Sequence, residues 1–311
     1  MIKDIKSGNF DNVNSLLQSK VSANFIDHEG FSPIIWACSC NKLEIAKLLV
    51  KFKADPAYIA PDASSALICA AGEGSVDICT YLLSCPGVTV NSEDNHRLNP
   101  LIMAVSQGHL DTAKFLLDAK ADPNLSFSLG SPLLQATGEG NQALLELLLQ
   151  YGADPNKAHT KSGITPLFLA IGKKDIVATY KLLKAKGDVD HRTVKGRSPI
   201  QLAMDMEAAN ILRVLVKRTS HINESHKLHD GSDQTPLLFA VDINNRKLLE
   251  TVLKCKADVN KPNSKGMTPL LMAAQFGDVA IVRVFDSNNY RKMFVVFYTR
   301  LWVCNDATLT L

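Results

Sequence analysis

The chain has 311 residues, of which 46% are hydrophobic and 21% charged, a composition that folds rather than stays disordered. Lys plus Arg number 34 against 31 Asp plus Glu, so the formal charge is only +3, which gives no general reason to expect nucleic acid or an anionic membrane as partner. Aromatic residues, at 6%, argue against base-stacking platforms, and no run of about 18 apolar residues exists to cross a bilayer.

From the N-terminus, Met1-Ile2-Lys3-Asp4-Ile5-Lys6 lacks the apolar block and small-residue cleavage site of a secretory signal. Residues 1–26, with Gly8-Asn9 and Leu16-Leu17, read as a helical pair whose polar side (Lys3, Lys6, Asn12) suits the cap of a stack. The seven cysteines are odd in number and contain no C-x-x-C pair. Cys38, Cys69 and Cys79 lie in apolar helical patterns, so reduced, buried thiols in a cytosolic or nuclear protein are expected.

A short phrase then recurs: Ser32-Pro33-Ile34, Ser65-Ala66-Leu67, Asn99-Pro100-Leu101, Ser131-Pro132-Leu133, Thr165-Pro166-Leu167, Ser198-Pro199-Ile200, Thr235-Pro236-Leu237 and Thr268-Pro269-Leu270. The spacings are 33, 34, 32, 34, 33, 37 and 33 residues. A second phrase keeps phase with it, as in Lys53-Ala54-Asp55-Pro56, Lys120-Ala121-Asp122-Pro123-Asn124, Gly152-Ala153-Asp154-Pro155-Asn156 and Lys256-Ala257-Asp258-Val259-Asn260. Each anchor predicts a helix start, because Ser, Thr or Asn caps the first N–H groups and Pro fits the first turn. A small or polar break follows (Gly74, Gly108, Gly140), then a second helix with apolar spacing such as Leu110, Ala113, Leu116 and Leu117. One such unit is too thin to bury both its faces, so neighbours must supply the core.

Over roughly residues 1–285 these phrases resemble the ankyrin repeat family, whose Thr-Pro-Leu-His-x-Ala phrase is present with Ile35, Ile68, Ile102, Leu134, Phe168, Gln201, Leu238 and Leu271 at the His place. The resemblance implies an all-α solenoid of stacked helix–turn–helix units with β-hairpin-like fingers. The expected organisation is a solenoid over 1–287, made of a cap at 1–26 and about eight repeats, with a non-repeat apolar tail at 288–311. Within the tail, Met293–Cys304 is too short to span a bilayer and contains Arg300. Three readings of the tail stand: a cover for the last repeat, an interaction strand, or an alternative or truncated end of a longer chain. The last is preferred because the register breaks at Phe285-Asp286-Ser287.

The seventh finger is long, with eleven residues between Asn223 and Thr235. It is read as a solvated loop, and its His226, His229, Asp230 and Asp233, with His221 nearby, as solvated polar groups rather than a zinc site. Lys157 to Arg218 carries a net +8, a basic stretch on repeats five and six that is read as a solvated face or a contact for acidic groups.

No G-x-S-x-G, H-E-x-x-H, Walker or dinucleotide signature occurs. Gly72-Glu73-Gly74 and Gly138-Glu139-Gly140 fall at the turns between paired helices, and Cys38-x-Cys40 at a packed helix. The expected function is therefore non-catalytic, with no cofactor and no metal. It is a protein–protein interaction scaffold or adaptor, monomeric, in the cytoplasm or nucleus, that binds a protein partner through a concave groove. By the resemblance, contacts come from finger tips and inner-helix ends, here His28, Glu29, Asn95, His96, Lys161, Ser162, Lys173, Lys195, Arg197, Met206, Ile243 and Phe276, with Phe31 a further apolar anchor. Two alternatives remain: a module of a larger protein such as an ankyrin–tetratricopeptide co-chaperone, or an anionic-ligand or nucleic-acid binder through the basic stretch.

Overall fold

The structure, a computed structural model, describes residues 1–287 apart from 63, 96, 127–129, 230, 277 and 278. The tail at 288–311, His96 and Asp230 therefore lie outside the described residues.

The described residues form helices in pairs. A short pair, α1 (Ile2–Ser7) and α2 (Phe10–Gln18), comes first. It is followed by α3 (Pro33–Ser39) and α4 (Leu43–Lys51), α5 (Ala66–Gly72) and α6 (Val76–Leu83), α7 (Pro100–Ser106) and α8 (Leu110–Asp118), and α9 (Pro132–Glu139) and α10 (Gln142–Gln150). Next are α11 (Pro166–Gly172) and α12 (Ile176–Lys184), then α13 (Pro199–Asp205) and α14 (Ala209–Leu215). A two-residue strand pair, β1 (His226–Lys227) and β2 (Asp233–Gln234), precedes α15 (Pro236–Asp242), α16 (Arg246–Lys254), α17 (Pro269–Gln275) and α18 (Val279–Ser287). The first member of each pair is the inner helix, the second the outer.

Six of the eight anchor residues, Ser65, Asn99, Ser131, Ser198, Thr235 and Thr268, start their inner helices by direct side-chain hydrogen bonding. Asn99 Oδ1 accepts from the Ile102 N–H at 2.9 Å, Ser131 Oγ from Leu134 at 3.2 Å and Ser198 Oγ from Gln201 at 3.1 Å. Each bond satisfies one of the N–H groups that a helix start leaves open. Pro at the first turn gives up an N–H that has no partner there in any case. Outer helices use the same device through Ser75, Asn141 and Asn245.

The turn between paired helices requires a left-handed residue. Glycine supplies it at Gly74 (φ 75°) and Gly108 (φ 79°), whereas Asn41, Lys174, Glu207 and Asn244 take φ of 51–56° in other repeats. Glycine carries no steric penalty at such a φ, whereas a Cβ does.

Four residues after each anchor position sits an alanine: Ala37, Ala70, Ala104, Ala136, Ala170, Ala203, Ala240 and Ala273, each at most 1% exposed. A methyl group there lets inner helices approach closely. The large apolar side chains that follow the anchors, such as Ile34, Leu67, Leu101 and Leu133, fill the space beside them.

The chain divides into two compact units, Met1–Ala170 with Lys181–Gly187, and Ile171–Tyr180 with the residues from Asp188 on. In the first, α1, α3, α5, α7 and α9 pack in sequence as one layer, and α2, α4, α6, α8 and α10 as the other. In the second, α13, α15 and α17 form the inner row and α14, α16 and α18 the outer. Each unit buries its apolar surface between these two layers, which is how thin helical pairs acquire a core.

Hydrogen bonds from the second phrase tie neighbouring repeats together. Asn24 accepts from the Asp55 N–H (2.8 Å) and donates to Lys53 O (2.7 Å). Asn124 repeats the pair toward Asp154 N–H (2.8 Å) and Gly152 O (3.2 Å). In the second unit, Asn223 accepts from the Asp258 N–H at 2.7 Å. Where Asp190 takes the asparagine's place, the following repeat offers it donors instead: the Thr219 hydroxyl, and the Ser220 N–H and hydroxyl.

Candidate partner-binding surface

The fingers are closed by one recurring turn. In the first, the Asp27 N–H donates to Phe31 O at 3.1 Å, while Asp27 Oδ1 accepts from the N–H groups of Glu29 (3.0 Å) and Phe31 (2.9 Å). Asp94 (to Leu98) and Asn263 (to Lys265 and Met267) do the same. The first side chain of the tip is thus consumed by the turn, and the next residues are free to project. His28 and Glu29 are exposed, as are Lys161, Lys195 and Lys265.

The sequence-derived site residues fall into three groups. His28, Glu29, Lys161, Lys173, Lys195 and Phe276 are exposed, with Phe276 at 58%. Met206 and Ile243, which close α13 and α15, are half-buried. The remaining described residues are exposed (Asn95) or half-buried (Ser162, Arg197), and each is hydrogen-bonded or ion-paired within the protein. Asn95 Nδ2 donates to Pro61 O of the neighbouring finger at 2.9 Å, and Ser162 Oγ lies 3.0 Å from His159 Nδ1 within its own turn. The Arg197 guanidinium is paired with the Asp205 carboxylate, whose side chain is only 7% exposed. His96 lies outside the described residues.

Phe31 is held within the first unit. Its ring meets that of Trp36 edge-on, with centroids 5.6 Å apart. Trp36 Nε1 donates to Asp27 Oδ2 at 2.7 Å, and Lys6 Nζ lies 3.5 Å over the indole. The sequence shows an aromatic after the tip; only the fold shows that its ring packs against Trp36, which itself carries a cation on its face.

The basic stretch is also partly neutralised. Lys181 pairs with Glu146 at 2.9 Å, Arg192 with Glu224 and Arg197 with Asp205. Two of these partners, Glu146 and Glu224, lie outside the basic stretch on other repeats, so its net charge along the chain does not record them.

The long seventh finger differs most from its sequence reading. It is a strand pair in which His226 faces Gln234 and Lys227 faces Asp233. The preceding repeat pins it: Gln201 Nε2 donates to Lys227 O at 2.6 Å, and the His229 N–H donates to Asp205 Oδ1 at 2.7 Å. His226 is 4% exposed rather than solvated, and its Nε2 has no hydrogen-bond partner among the described residues. The reason is alternation: pairing of two strands turns every second side chain inward. Among the described residues no group of three or more His, Cys, Asp or Glu is arranged to hold a metal.

Burial, with a smaller contribution from Arg192, holds the His226 pKa below its ordinary value, against the opposing pull of Glu224, Asp233 and Asp205. A histidine whose folded pKa lies below its unfolded value of about 6.5 binds fewer protons when folded. Stability therefore rises with pH through this range and is lost as pH falls below about 6.5. Chemical denaturation of the chain at pH 7.5 and 5.5 is expected to show this loss, and His226→Gln is expected to reduce it. An unchanged pH slope in that variant would remove His226 as the cause.

Three of the thiols are poor nucleophiles at neutral pH. Burial pushes the Cys38 thiol well above its usual value, Cys69 to about 11 and Cys79 to about 12, so the reactive thiolate is scarce. Among the described residues no helix is long and apolar enough to cross a membrane.

Paired helices, a capped Pro-Leu start and turn-closed fingers define a repeat protein whose class comparison with known families settles. A family model of ankyrin repeats (three copies) matches residues 2–94, 61–127, 89–159 and 133–226, well over half of the chain. The chain belongs to the ankyrin repeat family. It is 28% identical over 132 residues to human neurogenic locus notch homolog protein 1, covering 42% of this chain and 5% of that protein. It is 27% identical over 128 residues to ankyrin repeat and SAM domain-containing protein 6 of Danio rerio, covering 40% of this chain and 17% of that one. The chain thus spans only a small part of these relatives' length. Among solved structures, the ankyrin repeat domain of Bcl-3, a member of the IkappaB protein family, superposes with a TM-score of 0.60 at 23% identity. That likeness covers 68% of this chain and 96% of the other, and it concerns the fold.

Proposed function

We propose that the chain is a non-catalytic protein-interaction module, spanning 1–287, that acts as a monomer in the cytoplasm or nucleus. Its contacts are the finger tips and the ends of the inner helices. One observation carries this reading. Tip side chains such as Asp27, Asp94 and Asn263 are spent on closing the turn, so the residues beside them project from a backbone that is already ordered. A surface fixed before contact loses little conformational freedom on binding. Exposed charges at Glu29, Lys161, Lys173 and Lys195, with the polar His28 beside Glu29, then set specificity.

Affinity capture from cell extract with the full chain tests this. A tip variant carrying His28→Ala, Glu29→Ala, Lys161→Ala and Lys195→Ala is compared with an outer-helix control carrying Lys51→Ala and Lys114→Ala. A protein set kept by the control and lost by the tip variant is the expected result. Equal recovery by both would remove the tips as the contact. If capture collapsed steeply with added salt and nucleic acid were recovered instead, the anionic-ligand reading would replace this one.

A further inference from the structure

In the second unit, a cleft of about 630 Å³ opens between the seventh finger and the last repeat. This lies within the roughly 300–1,000 Å³ of pockets that engulf a small ligand or a few side chains. Its two sides differ in chemistry. One is apolar: Met267, the buried Met272 and the ring of Phe276, which is 58% exposed at the end of α17. The other offers hydrogen-bond acceptors. Asp233 and Asp242 line it, and neither is in an ion pair among the described residues.

Beside the Asp242 carboxylate stands Gln234, only 5% exposed. Its Nε2 donates to Asp242 Oδ2 at 2.9 Å, while its Oε1 has no partner among the described residues. A buried carbonyl left without a donor is costly, and its cost falls when a ligand supplies one. The hydrogen bond from Gln234 Nε2 to Asp242 fixes that carbonyl beside the carboxylate. Two acceptors of different kinds therefore lie together next to a hydrophobic shelf, with Lys265 the one cation lining the cleft among the described residues.

We propose that this cleft binds a peptide segment of a protein partner through an arginine flanked by an apolar side chain. The assignment rests on the interaction-module reading above and specifies the partner's chemistry at one place. A planar guanidinium has five donors in a fixed fork, enough to engage the Asp242 carboxylate and Gln234 Oε1 together, whereas an ammonium acts as a point charge. The aliphatic stem of the arginine and its apolar neighbour cover Met267 and Phe276, and the guanidinium face is also suited to the Phe276 ring. Charge complementarity selects this occupant over an acidic or phosphorylated peptide, which would face both carboxylates.

Selection of a random twelve-residue peptide library on phage against the full chain tests the proposal, with binding of the recovered peptides then measured by fluorescence polarisation. Peptides enriched in arginine beside an apolar residue are expected. Their affinity should fall about tenfold in Asp242→Asn, and again on changing the peptide arginine to lysine, as for loss of one charge-assisted bond. Phe276→Ala should weaken them, and His28→Ala with Glu29→Ala should not. Recovery of no peptide, of peptides without arginine, or of peptides indifferent to Asp242→Asn and Phe276→Ala would overturn the assignment. The capture experiment with tip variants is independent of these results, so the broader reading would then stand or fall separately. A photo-crosslinking residue at position 276 of the full chain gives a second readout. Crosslinks to the added peptide support the proposal, while crosslinks to residues 288–311 or to a second copy of the chain would give the cleft to those occupants instead.

Discussion

Replacing Gly74 by alanine is expected to destabilise the first unit by about 2–3 kcal/mol. Gly74 sits at φ 75° in the turn between α5 and α6, where a Cβ costs about 1–2 kcal/mol by itself. The new methyl would also lie 2.6 Å from Nδ1 of His109, at the start of the outer helix α8 of the next repeat. That ring is not free to yield, because its Nε2 is hydrogen-bonded to Gly72 O at 2.9 Å. Moving it loses a bond of about 0.5–1.5 kcal/mol. The two contributions separate in a double-mutant cycle. Gly74→Ala in a His109→Ala background should cost only the backbone part, so the double variant should lose less than the sum of the singles. Strict additivity in urea denaturation would show that the ring and the turn are not coupled.

The second large effect is expected at the junction held by Asn124. Asn124→Ala removes both its bond from the Asp154 N–H and its bond to Gly152 O, at a cost of about 1–3 kcal/mol. Asn124→Asp keeps the acceptor and loses the donor, so it should recover part of the loss. Because each repeat contacts mainly its neighbours, the damage should be local. Amide exchange at Asp154, whose N–H Asn124 holds, should speed up far more than at Asp55, whose N–H is held by Asn24. Uniform acceleration across the unit would instead point to a single cooperative core.

The Asn124 and Gly74 cases also show how differently two features could be read beforehand. Asn124 stands in a phrase that recurs in phase, so its structural role was visible as a pattern, although its partner on the next repeat was not. Gly74 was legible as a turn residue, whereas its approach to His109 depends on stacking. Arg197 reads as a tip-proximal cation; the pattern does not record that Asp205 on the following helix pairs with it and also anchors the seventh finger through the His229 N–H. His226 reads as a solvated loop histidine, but strand pairing carries it inside.

The sequence by itself determined the repeat length, the two-helix unit, the capped Pro-Leu starts and the small alanines. All of these are imposed by hydrogen-bonding and steric needs that act within a few residues and recur at a fixed period. Tertiary structure decided which charges remain available, which histidine is buried, where an amide carbonyl is left without a donor and where an exposed phenylalanine meets two carboxylates. Those properties depend on contacts between separate elements, from eight positions apart for Arg197 and Asp205 to more than thirty for Phe276 and Asp242, and the pairings vary from repeat to repeat, so no periodic pattern records them.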